Sequence, residues 1–279
     1  MIGRAGGLDE DDVRVRPGRG SRPRTKVRPR HAAARQGFVV AVDRGRYACL
    51  VDGRAVTAMR ARELGRRAVV VGDRVRLVGD LSGEPDALAR LVAVEPRRST
   101  LRRTADDADP VERVVVANAD QLAVVVAVAD PEPRRRLVDR CLVAAYDAGL
   151  DPLLVVTKAD LADPGALVEA YAAIGVPSVV CGRGDGGRGV GLLAGRLTGR
   201  STVLVGHSGV GKSTLVNALV PGADRVTAEV NAVTGRGRHV SSSAVALALP
   251  GGGWVIDTPG IRSFGLAHVD VARVLAAFP

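Results

Sequence analysis

The stretch that decides the fold is Gly206-His-Ser-Gly-Val-Gly-Lys-Ser213. It matches the pattern G-x-x-x-x-G-K-S/T of a phosphate-binding loop, with a strand pattern at 202–205 before it and a helix pattern at 212–219 after it. In such a loop the backbone N–H groups and the helix N-terminus face the phosphates. We expect the Lys212 ammonium to contact the β- and γ-phosphates and the Ser213 hydroxyl to bind Mg²⁺. The predicted phosphate-binding residues are Gly206, His207, Ser208, Gly209, Val210, Gly211, Lys212, Ser213 and Thr214.

Lysine usage supports this interpretation. Only three of the 40 basic residues are lysines, and two of them, Lys158 and Lys212, lie in nucleotide-binding motifs. A compact ammonium fits inside a phosphate-cradling loop, whereas the planar fork of arginine does not. In an arginine-rich chain, lysine at these two positions indicates chemistry that guanidinium cannot supply.

A base-recognition motif, Thr157-Lys-Ala-Asp160, follows an apolar strand pattern at 153–157. The Asp160 carboxylate can accept from N1–H and the 2-amino group of guanine, and adenine has neither donor there. Lys158 is expected to lie across the base. Thr157 occupies a position usually held by Asn, which weakens one polar contact. Cys181, where a strand pattern enters a glycine-rich loop, completes the predicted guanine site.

A third motif, Trp254-Val-Ile-Asp-Thr-Pro-Gly260, is an apolar strand that ends in Asp-x-x-Gly. We expect Asp257 to hold Mg²⁺, directly or through water, and the Gly260 N–H to contact the γ-phosphate. The segment 234–243 lies where a switch belongs. One hydroxyl of Ser241, Ser242 or Ser243 could complete the Mg²⁺ ligands, and the spacing does not distinguish them.

Catalysis requires a group other than the glutamine that orients water in many GTPases, because Ile261 follows Gly260. By sequence position His239 is the best candidate, acting together with Lys212. The alternatives for His239 are an exposed loop residue or an RNA contact.

The chain divides into four predicted regions. Residues 1–35 are rich in Arg, Pro and Gly and predict a disordered basic arm, which could neutralise phosphates or be an inert tail. Residues 36–98 predict a small all-β barrel of the OB-fold type. Residues 99–112 are polar and predict a linker, and residues 113–279 alternate strand and helix patterns, as in a doubly wound α/β sheet. The five predicted barrel strands are 37–42, 46–51, 68–71, 74–78 and 88–94.

Composition limits the classes of partner. The formal net charge of +10 favours a polyanion, although coding bias toward arginine is an alternative explanation. Three scattered cysteines fit a reducing cytoplasm rather than a disulfide framework, and no apolar run approaches the length of a membrane span. Phe38 and Tyr47 could stack on bases or belong to the core. Backbone electrostatics offers a better route to RNA, through Arg44, Arg46, Arg54, Arg60 and Arg62.

The base motif precedes the phosphate loop, which reverses the usual order in GTPases and indicates a circularly permuted domain. With the N-terminal barrel, this arrangement resembles the RsgA (YjeQ) family of ribosome small-subunit-dependent GTPases. The resemblance covers roughly residue 36 to the end. It also rests on the segments Val70-Val-Gly-Asp-Arg-Val75, Pro96-Arg-Arg-Ser-Thr-Leu101, Val116-Ala-Asn-Ala-Asp120 and Gly235-Arg-Gly-Arg-His239.

The resemblance implies a cytoplasmic, monomeric GTP hydrolase that binds GTP or GDP with Mg²⁺ and assists late maturation of the small ribosomal subunit. Its implied partner is ribosomal RNA, not DNA or a membrane. The family also has a C-terminal zinc domain, whereas this chain ends at Pro279 without Cys and His at metal spacing, so we expect no zinc. Two alternatives are a GTP-gated RNA-binding module with negligible turnover and a permuted GTPase that acts on the large subunit.

Overall fold

The structure, a computed structural model, describes residues 33–64, 68–84, 86–103, 113–223 and 244–258. The predicted basic arm therefore lies almost wholly outside the described residues. Within them, no helix is long and apolar enough to cross a membrane.

The first part of the described chain is a closed five-stranded barrel. Its strands are β1 (Arg35–Asp43), β2 (Arg46–Val51), β3 (Arg54–Arg60), β4 (Arg74–Gly79) and β5 (Ala89–Val94). Within the barrel each strand pairs with two others in the order β1-β2-β3-β5-β4, and β4 returns to pair with β1. Hairpin turns at Arg44-Gly45 and Asp52-Gly53 have positive φ at all four residues, which matches the twist of the strands they join. Alternate apolar side chains fill the interior, among them Val39, Cys49, Leu77 and Leu91.

The barrel confirms the predicted fold but corrects one strand. Residues 68–71 do not form a strand, and the fifth strand is β3, the second arm of the hairpin at 52–53. The segment before Asp73 folds around that buried carboxylate instead, because Asp73 accepts the Val70 N–H at 2.8 Å. Val71 makes only an isolated bridge to Val116.

The second part of the described chain contains an α/β sheet. Its elements are β6 (Thr100–Arg103), β7 (Arg113–Ala117), β8 (Gln121–Ala127), α1 (Arg135–Asp147), β9 (Asp151–Thr157), α2 (Gly165–Ala172), β10 (Ser178–Val180), α3 (Arg188–Leu197), β11 (Ser201–Val205), α4 (Lys212–Leu219), β12 (Val245–Ala248) and β13 (Trp254–Asp257). The strand order in the sheet is β10-β9-β8-β11-β13-β12. The first five of these strands are parallel, and β12 is antiparallel to β13. Every residue of the central strand β8 is buried, as expected for a parallel strand covered on both faces.

Two elements differ from the sequence prediction. The segment predicted as a linker contains β6, which pairs with β7, while residues 104–112 lie outside the described residues. Helix α3 was not predicted, because glycines at 189, 191 and 195 obscure its apolar spacing. The fully buried Leu193 and Leu197 nevertheless attach it to the core.

The barrel and the α/β sheet are joined edge to edge. Strand β1 pairs with β12 at Ala41 and Val245, so the two sheets form one 11-stranded sheet. Val245 is also the register partner of Asp257 on β13. One residue of β12 thus lies between the barrel and the end of β13.

A polar joint reinforces this connection. Arg97 makes a two-pronged ion pair with the fully buried Asp73, at 2.7 and 2.8 Å. The buried Asn118 donates to the Gly72 carbonyl at 2.9 Å and accepts the Arg98 N–H at 2.8 Å. Gly72 has φ of +89°, and a Cβ there would collide with the carbonyl oxygen of Ala117. The joint therefore depends on glycine and asparagine at these positions.

Candidate nucleotide-binding site

The predicted site residues that the structure describes gather at one edge of the α/β sheet. Thr157, Cys181, Gly206 and Asp257 lie at or just after the carboxyl ends of β9, β10, β11 and β13, four of the five parallel strands. Ligands of parallel α/β sheets bind at this edge, where the loops that follow the strands converge. The fold thus brings together motifs that are about a hundred residues apart in the chain.

The phosphate loop runs from the end of β11 to the first turn of α4. Gly209 and Gly211 have φ of +83° and +91°, a conformation that side chains disfavour. A Cβ on Gly206 would collide with the carbonyl oxygen of Val125. The three glycines therefore permit a tight loop that ends at a helix N-terminus, which is the geometry of an anion-binding cradle.

Lys212 folds back across this loop. Its ammonium donates to the Gly206 carbonyl at 2.8 Å and lies 3.5 Å from the His207 carbonyl. Burial lowers the pKa of Lys212, and the nearby Asp257 carboxylate opposes that shift. The amine is thus held within the loop, close to the position where phosphates would lie.

Asp257 presents the feature that a cation would satisfy. Within the described part of the chain, its Oδ1 atom is buried and has no hydrogen-bond partner. Burial also raises the pKa of this carboxyl group, and Lys212 counteracts the rise. A buried carboxylate oxygen without a donor is a suitable ligand for Mg²⁺, either directly or through water.

Thr157 links the base motif to the phosphate loop. Its hydroxyl donates to the Val210 carbonyl at 2.6 Å, with the Val126 carbonyl 3.3 Å away. Thr157, at a position usually held by Asn, therefore contacts the backbone of the phosphate loop. Both partners are buried, so the bond is shielded from water.

Lys158 takes a left-handed backbone conformation with φ of +57°. Its ammonium donates to the carbonyl of Asp130 and lies 3.8 Å from the Asp130 carboxylate. Asp130 was not among the predicted site residues. Its place just beyond the carboxyl end of β8 is the signal that could have identified it.

Asp160 is exposed at the mouth of the base region. Its carboxylate accepts the Arg183 N–H at 2.8 Å, and this bond is the main cause of its lowered pKa. Cys181 is buried beside it, and its backbone is bonded to Val156 and Ala159. A cleft of about 350 Å³ opens here, lined by Asp160 and the loop 182–185 among others. The apolar residues Ala159, Val180 and Leu192 also line this cleft, which is open to solvent.

The remaining predicted residues lie outside the described residues: His239, Ser241, Ser242, Ser243, Gly260 and Ile261. In the described ranges, no group of three or more His, Cys, Asp or Glu residues is placed to hold a metal ion.

This fold and this site define a class of protein. The strand that carries the guanine motif precedes the strand that carries the phosphate loop, although the two loops meet at one edge. The domain is therefore a circularly permuted P-loop GTPase fold, and it follows a closed OB-like barrel. Residues 94–267 match the family described as RsgA GTPase, and the chain belongs to that family.

Relatives and solved structures agree with this assignment. The chain is 42% identical over 217 residues to the small ribosomal subunit biogenesis GTPase RsgA of Pseudomonas aeruginosa, covering 76% of this chain and 62% of that protein. It is 40% identical over 218 residues to the protein of the same name from Gemmatimonas aurantiaca, covering 77% and 70%. The chain thus spans only about 62% of the length of the Pseudomonas relatives.

Two crystal structures share the fold. YjeQ from Thermotoga maritima superposes with a TM-score of 0.60 at 26% identity, covering 85% of this chain and 77% of that one. YloQ, a circularly permuted GTPase, superposes with a TM-score of 0.63 at 21% identity, covering 90% and 79%. The second likeness concerns the fold alone.

Proposed function

We propose that this chain is a GTP hydrolase that assists late maturation of the small ribosomal subunit, binds its ribosomal RNA and is released on hydrolysis. The observation that carries the proposal is the Thr157–Val210 hydrogen bond, which joins a guanine motif to a phosphate loop in one site. Relatives named as small ribosomal subunit biogenesis GTPases support the biological role.

The guanine end of the site is formed by Thr157, Lys158, Asp160 and Cys181. Asp160 accepts from the two donors of the guanine edge, and its contact with the Arg183 N–H holds the carboxylate in place. Lys158 covers the base while Asp130 restrains its ammonium. ATP is disfavoured because adenine offers the Asp160 carboxylate neither of these two donors.

At the phosphate end, residues 206–214 wrap the phosphates with backbone N–H groups. Lys212 exchanges its contacts with loop carbonyls for contacts with the β- and γ-phosphates. Ser213 and Asp257 would hold Mg²⁺, and the Gly260 N–H would contact the γ-phosphate. Mg²⁺ bound there would neutralise the charge that develops on the phosphate oxygens.

Hydrolysis also requires a group that orients water. Ile261 cannot polarise water, so His239 is proposed as the catalytic residue that acts with Lys212. One hydroxyl of Ser241, Ser242 or Ser243 completes the Mg²⁺ ligands in the GTP-bound state.

Ribosomal RNA is proposed to bind the barrel through exposed arginines. Arg44 and Arg46 flank the β1–β2 hairpin, and Arg54 begins β3. These guanidinium groups can neutralise phosphates with little dependence on sequence. We propose residues 36–98 as the RNA-binding domain and residues 113–279 as the GTPase domain of a cytoplasmic monomer.

The test is GTP turnover by the purified chain alone, with small subunits and with large subunits, using ATP as the control nucleotide. The proposal predicts stimulation by small subunits with GTP only. Stimulation by large subunits would contradict the choice of partner. Tight GTP binding without turnover under any condition would favour a GTP-gated RNA-binding module instead.

A further inference from the structure

A second cleft lies at the opposite edge of the α/β sheet from the nucleotide loops. It has a volume of about 990 Å³ and opens where the amino ends of β8, β9, β11 and β13 meet the barrel. Strand β11 is five residues long, so its two ends are about 15 Å apart. The cleft is therefore separate from the GTP site.

Two aromatic rings from different parts of the fold meet in this cleft. Phe38 comes from barrel strand β1, and Trp254 begins β13. Their ring centroids are 4.7 Å apart with an interplanar angle of 37°. Both side chains are only partly buried, so the pair offers an aromatic surface to a ligand.

Three exposed arginines, Arg74, Arg98 and Arg200, line the same cleft. In the described part of the chain Arg74 makes no side-chain ion pair, whereas Arg98 lies 3.2 Å from Asp120 and Arg200 lies 2.6 Å from Asp151. Ion pairs on an exposed surface contribute little to stability, so these guanidinium groups remain able to bind a phosphate.

Aromatic faces beside guanidinium groups are the combination that binds single-stranded nucleic acid, since bases stack on the rings and phosphates pair with the cations. We propose that this cleft binds one unpaired nucleotide of RNA, with its base on the Trp254 and Phe38 surface and its phosphate among Arg74, Arg98 and Arg200. The RNA source rests on the proposed function, whereas the nucleotide chemistry of the cleft does not.

The chain contains a single tryptophan, so Trp254 fluorescence reports directly on this cleft. The full chain, with its GTP site filled by GDP and Mg²⁺, is titrated with a short oligouridylate and separately with uridine monophosphate. The proposal predicts saturable quenching by the oligonucleotide. The Arg74→Ala/Arg200→Ala double variant should raise its Kd about tenfold, because two phosphate contacts are lost. A matched control is Arg196→Ala, an exposed arginine in the last turn of α3 outside the cleft lining, which should leave the Kd unchanged.

Each outcome decides the question. Equal affinity for uridine monophosphate would support a nucleotide site and overturn RNA as its source. No quenching, or quenching that the double variant does not weaken, would overturn the site and leave the aromatic pair as packing between barrel and sheet. GTP turnover measured on the same samples separates these outcomes from a failure of the proposed GTPase function.

Discussion

The hydroxyl of Thr157 and the carbonyl of Val210 form a 2.6 Å hydrogen bond between residues 53 positions apart in the chain. A Cβ built on Gly211, the next residue of the phosphate loop, would lie 3.9 Å from the same hydroxyl oxygen. The base motif and the phosphate loop therefore contact each other directly. Such preorganisation lowers the cost of ordering the site around a ligand.

Replacement of this hydroxyl should weaken nucleotide binding. We expect Thr157→Val to raise the Kd for GDP about tenfold and to lower the free energy of unfolding by about 1–2 kcal/mol, because a buried carbonyl loses its donor. Thr198→Val is the matched control, since its hydroxyl bonds the Ala194 carbonyl at the exposed end of α3. If both variants bound GDP like the wild type, the bond would have no role in the site.

Asp160 should determine the choice of base. We expect Asp160→Asn to weaken GTP binding about 100-fold and to favour xanthosine triphosphate, whose 2-oxo group accepts a hydrogen bond from the new amide. Competition binding with the two nucleotides measures this change. Asp163→Asn is the control, because Asp163 accepts the Gly165 N–H near the start of α2. Unaltered preference for GTP in Asp160→Asn would place base recognition elsewhere.

We expect Asp257 to be required for function although its buried charge lowers the free energy of unfolding. Its Oδ1 atom is buried and has no hydrogen-bond partner among the described residues, and burial disfavours its charged form. In the presence of a chelator, Asp257→Asn should raise the free energy of unfolding by about 1 kcal/mol, since a poorly solvated charge is removed. The same variant should lose Mg²⁺-dependent turnover. A clear loss of stability without metal would show that the carboxylate has a structural partner.

The polar joint should matter for stability more than for nucleotide binding. Asn118→Ala removes the donor to Gly72 and the acceptor for Arg98, both at a buried position. We expect it to lower the free energy of unfolding by about 3 kcal/mol while the Kd for GDP changes less than about twofold. Asn118→Asp keeps the acceptor but places a carboxylate against the Gly72 carbonyl at a buried site, so it should cost at least as much. Denaturant unfolding of the three proteins tests this order.

Cys181 should react slowly with alkylating agents at neutral pH. Burial raises the pKa of its thiol to about 11, with a smaller contribution from Asp185. Because only the thiolate reacts, the alkylation rate should rise about tenfold per pH unit between about pH 8 and about pH 10, and bound GDP should slow it. Mass spectrometry of the Cys181 peptide follows this reaction. A rate that levels off between about pH 9 and about pH 10 would mean that the thiol titrates normally.

The sequence predicted the nucleotide loops because their residues are constrained by local chemistry. The positive φ angles at positions 209 and 211 favour glycine there, and the apolar residues of the flanking strand and helix recur with clear periodicity. The prediction of a strand at 68–71 was wrong because Asp73 binds Val70 and Arg97 through contacts that local propensity does not encode.

The second cleft was beyond sequence analysis for a similar reason. Phe38 and Trp254 are 216 positions apart, and the pairings of β1 with β12 and of β12 with β13 bring them together. Pairing between strands so far apart in the chain depends on the whole sheet, so no local sequence pattern predicts this aromatic contact.

Calorimetric titration of the purified chain with GTP and ATP, both with Mg²⁺, tests the central claim most directly. The account predicts a single site for GTP with an affinity at least about 100-fold higher than that for ATP, because only guanine satisfies the Asp160 carboxylate. Equal affinities for GTP and ATP, or no binding of GTP, would contradict the assignment of this edge of the sheet as a guanine-nucleotide site.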